Sequence, residues 1–304
     1  MIEIREAKID DIPELVKLYE NAWEGKYPFS YFLEESELER LLKNNGCVWM
    51  LALDGSEIVG SAACVHNRWN NSTDFGKGAI KKGYWNRHVG TEISKRVVER
   101  AFEQDFDICW GLPRNKAVYN VVTNLGFEIT GYMPGILLVD FREIYLFAMK
   151  LSEDCKKKRI TPINKSNIYN LPLVKSINEK LFLKDNPGEY PKNLFAGNES
   201  EATNVLKFRH VKKHSSAFIV ASDFTANDLC YIECDVLVDK AYIIKTLQLL
   251  GFAITAYLPA WCGTEQRFDC IKMARQFENY SSHDKFILEL KERIDRELQN
   301  EPGQ

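Results

Sequence analysis

Part of this chain occurs twice, and that limits its fold more than any other feature. Gly126-Phe127-Glu128-Ile129-Thr130-Gly131-Tyr132-Met133-Pro134 returns as Gly251-Phe252-Ala253-Ile254-Thr255-Ala256-Tyr257-Leu258-Pro259, with six of the nine positions identical. The flanks match in the same order. Ile108-Cys109-Trp110 has a partner in Tyr231-Ile232-Glu233. Asn115-Lys116-Ala117 matches Asp239-Lys240-Ala241 with one extra residue in the second copy, and Arg142 and Met149 answer loosely to Arg267 and Met273. Four matches in one order mark two copies of a single supersecondary unit. A chain of 304 residues, at roughly 150 per domain, has room for two domains built on it.

Hydrophobic periodicity places the elements. Ile2 and Ile4 alternate with polar residues as in a half-buried strand. Asp10, the acids after it and Pro13 signal a helix start, followed by Ile12, Leu15, Val16 and Tyr19 at helical spacing. A second helix is predicted over Glu35 to Lys43, ended by Gly46. Two apolar runs around Asp54-Gly55 read as a β-hairpin, and Phe75 to Lys81 as a third strand weakened by Gly76 and Gly78. Ile93, Val97, Val98, Ala101 and Phe102 give one apolar face to a helix from Val89 to Glu103. A strand at Ile108-Cys109-Trp110, a short helix over Lys116 to Asn124 and strands at Ile129–Tyr132 and Ile144–Met149 complete the first half. The second half opens on a helix near Ile168 to Leu181, with Pro172 in its first turn or interrupting it. A polar loop over 185–200 and a strand at Ala217-Phe218-Ile219-Val220 lead into the second copy. Ser281 and Asp284 fit a capping box for a last amphipathic helix. The fold class is α/β, in the α+β mixed-sheet sense. The predicted domains are 1–151 and 163–280, joined by a linker at 152–162 in which Lys156-Lys157-Lys158-Arg159 is solvated, with a helix and tail over 281–304.

Composition removes whole classes of function. A net charge of −3 does not imply a broad nucleic-acid face. No apolar run approaches the roughly 18 residues of a membrane span, and the start of the chain lacks the pattern of a signal peptide. The eight cysteines form no C-x-x-C pair and read as reduced core thiols, which places the protein in the cytoplasm. His210 and His214, four apart, lack the glutamate of a zinc-protease helix; Cys230 and Cys234 lack further ligands, so no metal site is expected. Gly76, Gly78 and Gly83 fit no nucleotide-binding fingerprint.

Between the third strand and the helix at Val89 lies Lys81-Lys82-Gly83-Tyr84-Trp85-Asn86-Arg87-His88-Val89-Gly90-Thr91. This segment resembles the donor motif of the GNAT family of acyl-CoA N-acyltransferases: a strand, a loop Q/R-x-x-G-x-G/A and a crossover helix. Bare amides at a helix N-terminus, aided by its dipole, hold a pyrophosphate. Gly90 takes the second glycine position, His88 stands where the first is usual, and Trp85 where Gln or Arg is usual. A second family signature follows, Asn115 ahead of a short helix ending in Leu125-Gly126-Phe127. The resemblance covers most of 1–150 and, without a donor loop, roughly 215–275.

The resemblance implies two GNAT-like domains in tandem, the second degenerate. The activity it implies is direct transfer of an acetyl group from acetyl-CoA, as co-substrate, to a primary amine of a small molecule: an amino acid, amino sugar or polyamine. Ile80, Lys81, Asn86, Arg87, His88, Val89, Gly90, Thr91, Asn115 and Tyr119 are the implied CoA-binding residues, with a backbone amide near Ile80 for the thioester oxygen. Asp74 is the candidate base and His66 a further group facing the acceptor. The family's thiolate-protonating tyrosine falls on Val122, and Tyr119, almost one turn earlier, takes its place as the candidate acid. The expected partner is the amine, with no nucleic acid or membrane and with a homodimer left open. A non-catalytic CoA- or ligand-binding module, a protein N-acetyltransferase and an interaction scaffold are the competing readings.

Overall fold

The computed structural model describes residues 2–24, 27, 30–138, 142–164, 166–192, 208–212, 219–221 and 229–299. The chain divides into two compact units, Met1–Gly111 and Leu112–Gln304. This division falls earlier than the linker expected at 152–162.

In the first unit, β1 (Ile2–Glu6) leads to α1 (Ile12–Trp23) and α2 (Glu35–Lys43). Strands β2 (Cys47–Asp54), β3 (Glu57–Asn67) and β4 (Ser72–Ile80) form a meander, and α3 (Val89–Glu103) crosses over to β5 (Ile108–Gly111). The strand order is β1-β2-β3-β4-β5, antiparallel except for β4 with β5, the parallel pair that needs the α3 crossover. Ile12, Leu15, Leu18 and Tyr19 of α1 and Leu38 and Leu41 of α2 bury one sheet face with Trp49, Leu51, Leu53 and Ala63. Val89, Ile93, Val97, Val98 and Ala101, three to four apart, turn inward from α3.

The second unit contains the repeat. Its elements are α4 (Lys116–Asn124), β6 (Glu128–Leu138), β7 (Arg142–Leu151), α5 (Glu153–Lys158), β8 (Arg159–Pro162), α6 (Pro172–Lys180), β9 (Pro187–Gly188), β10 (Phe208–Lys212), β11 (Ile219–Ala221), β12 (Leu229–Leu237), α7 (Ala241–Leu249), β13 (Ala253–Cys262), β14 (Arg267–Gln276) and α8 (Lys285–Gln299). The order is β7-β6-β13-β14-β12-β10-β11, with β8 beside β14 and β9 beside β8. Pro172 opens α6, where its missing N–H costs nothing. Among the described residues no helix is long and apolar enough to cross a membrane.

The two copies agree down to their hydrogen bonds. Gly126 and Gly251 both end a helix with positive φ, 80° and 84°. The amide after each closes on the helix, Phe127 N to Val122 O at 3.1 Å and Phe252 N to Leu247 O at 3.0 Å. A cation from the last strand of each hairpin then takes a free helix carbonyl: Lys150 Nζ on Leu125 O at 2.7 Å, Arg275 on Leu250 O at 2.8 Å. The copies meet at β6 and β13, where Gly131 pairs antiparallel with its own counterpart Ala256. A residue that pairs antiparallel with its equivalent lies on a local two-fold axis. Any Cβ at Gly131 would collide with the Thr255 carbonyl and Ala256, so this crossing requires glycine. Lys272 lies 5.9 Å from the ring of Phe147, again its own counterpart.

Several expectations shift. Glu128 pairs with Met149 as Ala253 pairs with Ala274, so Met149 corresponds to Ala274 and not to Met273. The two helices align without an insertion, which places the extra residue ahead of α7. Residues 152–162, expected as a solvated linker, form α5 and β8, and Arg159 of the charge run is 1% exposed. Its guanidinium grips Asp269 at 2.8 and 2.6 Å, and Tyr169, Tyr257 and the Ala260 amide complete that carboxylate. Lys272 is buried between Glu233 at 3.1 Å and Asp235 at 2.7 Å. The cap of α8 is Asp284, whose Oδ1 accepts from Phe286 N, while Ser281 bonds through its backbone to β7. His214, Ala217 and Phe218 lie outside the described residues.

Candidate functional site

The end of β4 and the start of α3 form the first group of expected site residues. Lys81 N donates to Val59 O at 2.9 Å, closing the ladder with β3. Strand alternation therefore turns the N–H and C=O of Ile80 to the opposite edge of β4. That edge is open here: β5 pairs with β4 only over Ser72–Phe75. Trp85 Nε1 donates to Ile80 O at 2.9 Å and ties the loop to the strand. Tyr84 OH holds Asp54 at 2.9 Å, and the Arg87 guanidinium sits 5.1 Å from the Tyr84 ring. Lys81 Nζ is engaged by Glu57.

The loop enters α3 through two left-handed residues, Asn86 at φ 61° and His88 at φ 60°. Glycine adopts this conformation without cost, which explains why the family pattern carries it where this chain has His88. His88 is the N-cap residue of α3 and makes no side-chain capping bond. The amides of Val89, Gly90 and Thr91 have no acceptor among the described residues, and the first bond of the helix is Glu92 N to His88 O. In this turn Val89 is 4% exposed, Gly90 and Thr91 are half-buried and Glu92 is exposed, and bare amides at a helix start suit an anion. A Cβ on Gly90 would meet only Ile80 Cγ1 at 3.7 Å, an ordinary contact.

Asp74 and His66 occupy opposite faces of the sheet. Asp74 lies beside Val65, which packs on the α1/α2 side, and His66 lies beside Thr73, one residue out of phase. The Asp74 carboxylate holds Lys77 Nζ at 2.6 Å. Lys77 is 9% exposed and sits in a bulge of β4 at φ 50°. Tyr19 OH fixes the Lys77 carbonyl, and Trp23 Nε1 donates to Gly78 O at 3.3 Å. His66 Nδ1 meets Asn45 O at 2.8 Å, so it carries the proton, and its ring packs on Phe106 at 4.2 Å. Burial lowers the His66 pKa against the opposing pull of the Asn45 carbonyl. The structure does not bring His66 to the Asp74 side.

Asn115 and Tyr119 belong to the second unit. Asn115 caps α4 by accepting from Val118 N at 2.9 Å. Val122 is buried at 1% exposure, whereas Tyr119 is half-buried with its ring 4.8 Å from Phe286. Sequence reasoning missed Trp85 as a tether, Lys77 as the partner of Asp74, and Phe286. A Lys three residues after Asp74 was a readable signal for the second; the contact with Phe286 spans too much sequence for any local pattern to show.

Residues 2–128 match the family model described as the acetyltransferase (GNAT) domain. Among solved structures, a ribosomal-protein-alanine N-acetyltransferase from Brucella melitensis is 18% identical with a TM-score of 0.45, the match covering 49% of this chain and 99% of that one. A GNAT-family acetyltransferase from Streptococcus pneumoniae is 21% identical with a TM-score of 0.44, covering 50% and 100%. A GNAT-superfamily phosphinothricin acetyltransferase from Sinorhizobium meliloti, in complex with AcCoA, is 17% identical with a TM-score of 0.44, covering 50% and 89%. No curated protein matches the chain. The chain carries an acetyltransferase (GNAT) domain over residues 2–128.

Proposed function

We propose that the protein transfers an acetyl group from acetyl-CoA directly to the primary amine of a small molecule. One observation carries this reading: an α3 N-terminus with no side-chain cap stands beside the open edge of β4. The amides of Val89, Gly90 and Thr91 suit the pyrophosphate, and the outward N–H of Ile80 suits the thioester oxygen. Acetyl-CoA supplies an activated thioester. Asp74, oriented by Lys77, binds the acceptor's ammonium and takes the proton that must leave before nitrogen can attack the acetyl carbon. As the carbon–sulfur bond breaks, Tyr119 returns a proton to the departing thiolate.

A CoA-binding module without turnover is the second reading, favoured by Val122 at the family's tyrosine position. Thiol release from acetyl-CoA with a panel of amino acids, amino sugars, polyamines and a peptide amine separates the two. Turnover with at least one amine, reduced about 100-fold or more in Asp74→Asn, is the expected result. Binding of acetyl-CoA with no thiol release for any amine supports the module instead.

A further inference from the structure

The surface of α4 that carries Tyr119 is held by the last helix of the chain. Asp284 uses both carboxylate oxygens on backbone amides: Oδ1 accepts from Phe286 N at 3.0 Å and Oδ2 from Lys116 N at 2.6 Å. One side chain thus caps the starts of α8 and α4 together. Two residues on, the Phe286 ring meets the Tyr119 ring at 4.8 Å and 65°, an edge-on geometry that aromatic pairs prefer. Lys116 Nζ, from the first turn of α4, lies 5.6 Å from the same Phe286 ring.

A tyrosine on a helix surface has more than one staggered rotamer open to it. A phenol that must hand a proton to one departing atom needs a single rotamer, since effective general acids are held within hydrogen-bond reach of their target. We propose that Phe286 is a positioning residue for Tyr119, and that Asp284 fixes the two helix starts so that the rings stay in register. This inference rests on the reading of Tyr119 as the general acid. Phe286 touches neither acetyl-CoA nor acceptor; it acts through the orientation of the phenol. The last helix is then part of the catalytic apparatus of the full chain, although it lies far beyond the residues that match the family.

The test compares the full-length protein with Tyr119→Phe, Phe286→Ala, Phe286→Leu and the double variant Tyr119→Phe/Phe286→Ala. The assay is thiol release from acetyl-CoA with the fastest acceptor of the panel. Phe286→Ala is expected to lower kcat about tenfold, to leave the KM for acetyl-CoA within about twofold, and to add nothing further in the Tyr119→Phe background. Phe286→Leu, which restores an apolar side chain, is expected to recover most of the rate. Ring-labelled tyrosine NMR gives a readout independent of turnover. The Tyr119 signal, identified by its loss in Tyr119→Phe, should lose its ring-current shift in Phe286→Ala. A Phe286→Ala effect that multiplies undiminished with that of Tyr119→Phe overturns the positioning role and leaves the acid reading standing. An unchanged kcat in Tyr119→Phe overturns the acid reading, and this inference with it.

Discussion

The two copies of the α-β-β unit keep the same backbone and use their side chains for opposite ends. Both end their helix at a left-handed glycine, with φ of 80° and 84°, and both cap the freed carbonyl with a cation. At equivalent positions the first copy has Ile144 and Phe147 where the second has Asp269 and Lys272, all of them buried. The second copy closes its charges on one another, Asp269 on Arg159 and Lys272 on Glu233 and Asp235. The first copy pairs its buried charges with partners outside the hairpin, Arg142 with Glu278 and Glu143 with Arg114, and adds a helix surface where Asn115 and Asp284 cap α4 and Tyr119 faces Phe286. Helix ends and the two-fold crossing therefore keep the repeat recognisable, while the interior charges are free to diverge.

The largest effect expected from breaking this contrast lies at Asp269. Replacing it with its counterpart's residue, Asp269→Ile, strands a buried guanidinium and should cost about 3–5 kcal/mol in chemical denaturation. Adding Arg159→Met should recover part of that loss, because it removes the stranded charge but leaves Tyr169, Tyr257 and the Ala260 amide without their acceptor. Retention of the full loss in the double variant would mean that Arg159 is not what makes Asp269 necessary.

Next in size are the two glycines. Gly126→Ala and Gly251→Ala each force a side chain into the left-handed region and should cost about 1–2 kcal/mol apiece. Equal losses sharpen the equivalence of the copies; a large difference between them breaks it. Smallest are the capping cations. Lys150→Ala and Arg275→Ala should each lower stability by about 0.3–1 kcal/mol, an effect that shrinks with added salt.

What the sequence reveals follows the range of the interactions involved. The helices at Glu35–Lys43, Val89–Glu103 and Lys116–Asn124 match their apolar spacing, since a helix face is written locally. The nine-residue repeat aligns Gly131 with Ala256, and these are the two residues that pair at the two-fold crossing. Lys156-Lys157-Lys158-Arg159 misleads because three lysines look solvated, and the partner that buries Arg159 is 110 residues away. The looser matching of Met149 to Met273 slips by one residue, which in a strand exchanges the faces. Gly90 at the start of α3 is legible from its spacing as the expected donor loop, and Lys77 three residues after Asp74 is legible as a partner; the Trp85 tether to the Ile80 carbonyl depends on the path of the loop, which no spacing records.

The most direct measurement is the thermal shift produced by acetyl-CoA in the wild type and in Gly90→Leu. If the amides at the start of α3 hold the pyrophosphate, acetyl-CoA at about 100 times its Kd should stabilise the wild type by about 2.7 kcal/mol. Gly90→Leu should keep its ligand-free melting temperature, because a Cβ there meets only the Ile80 side chain at 3.7 Å, and should lose the shift. A wild type that acetyl-CoA does not stabilise, or a Gly90→Leu protein that it stabilises equally, would contradict the account.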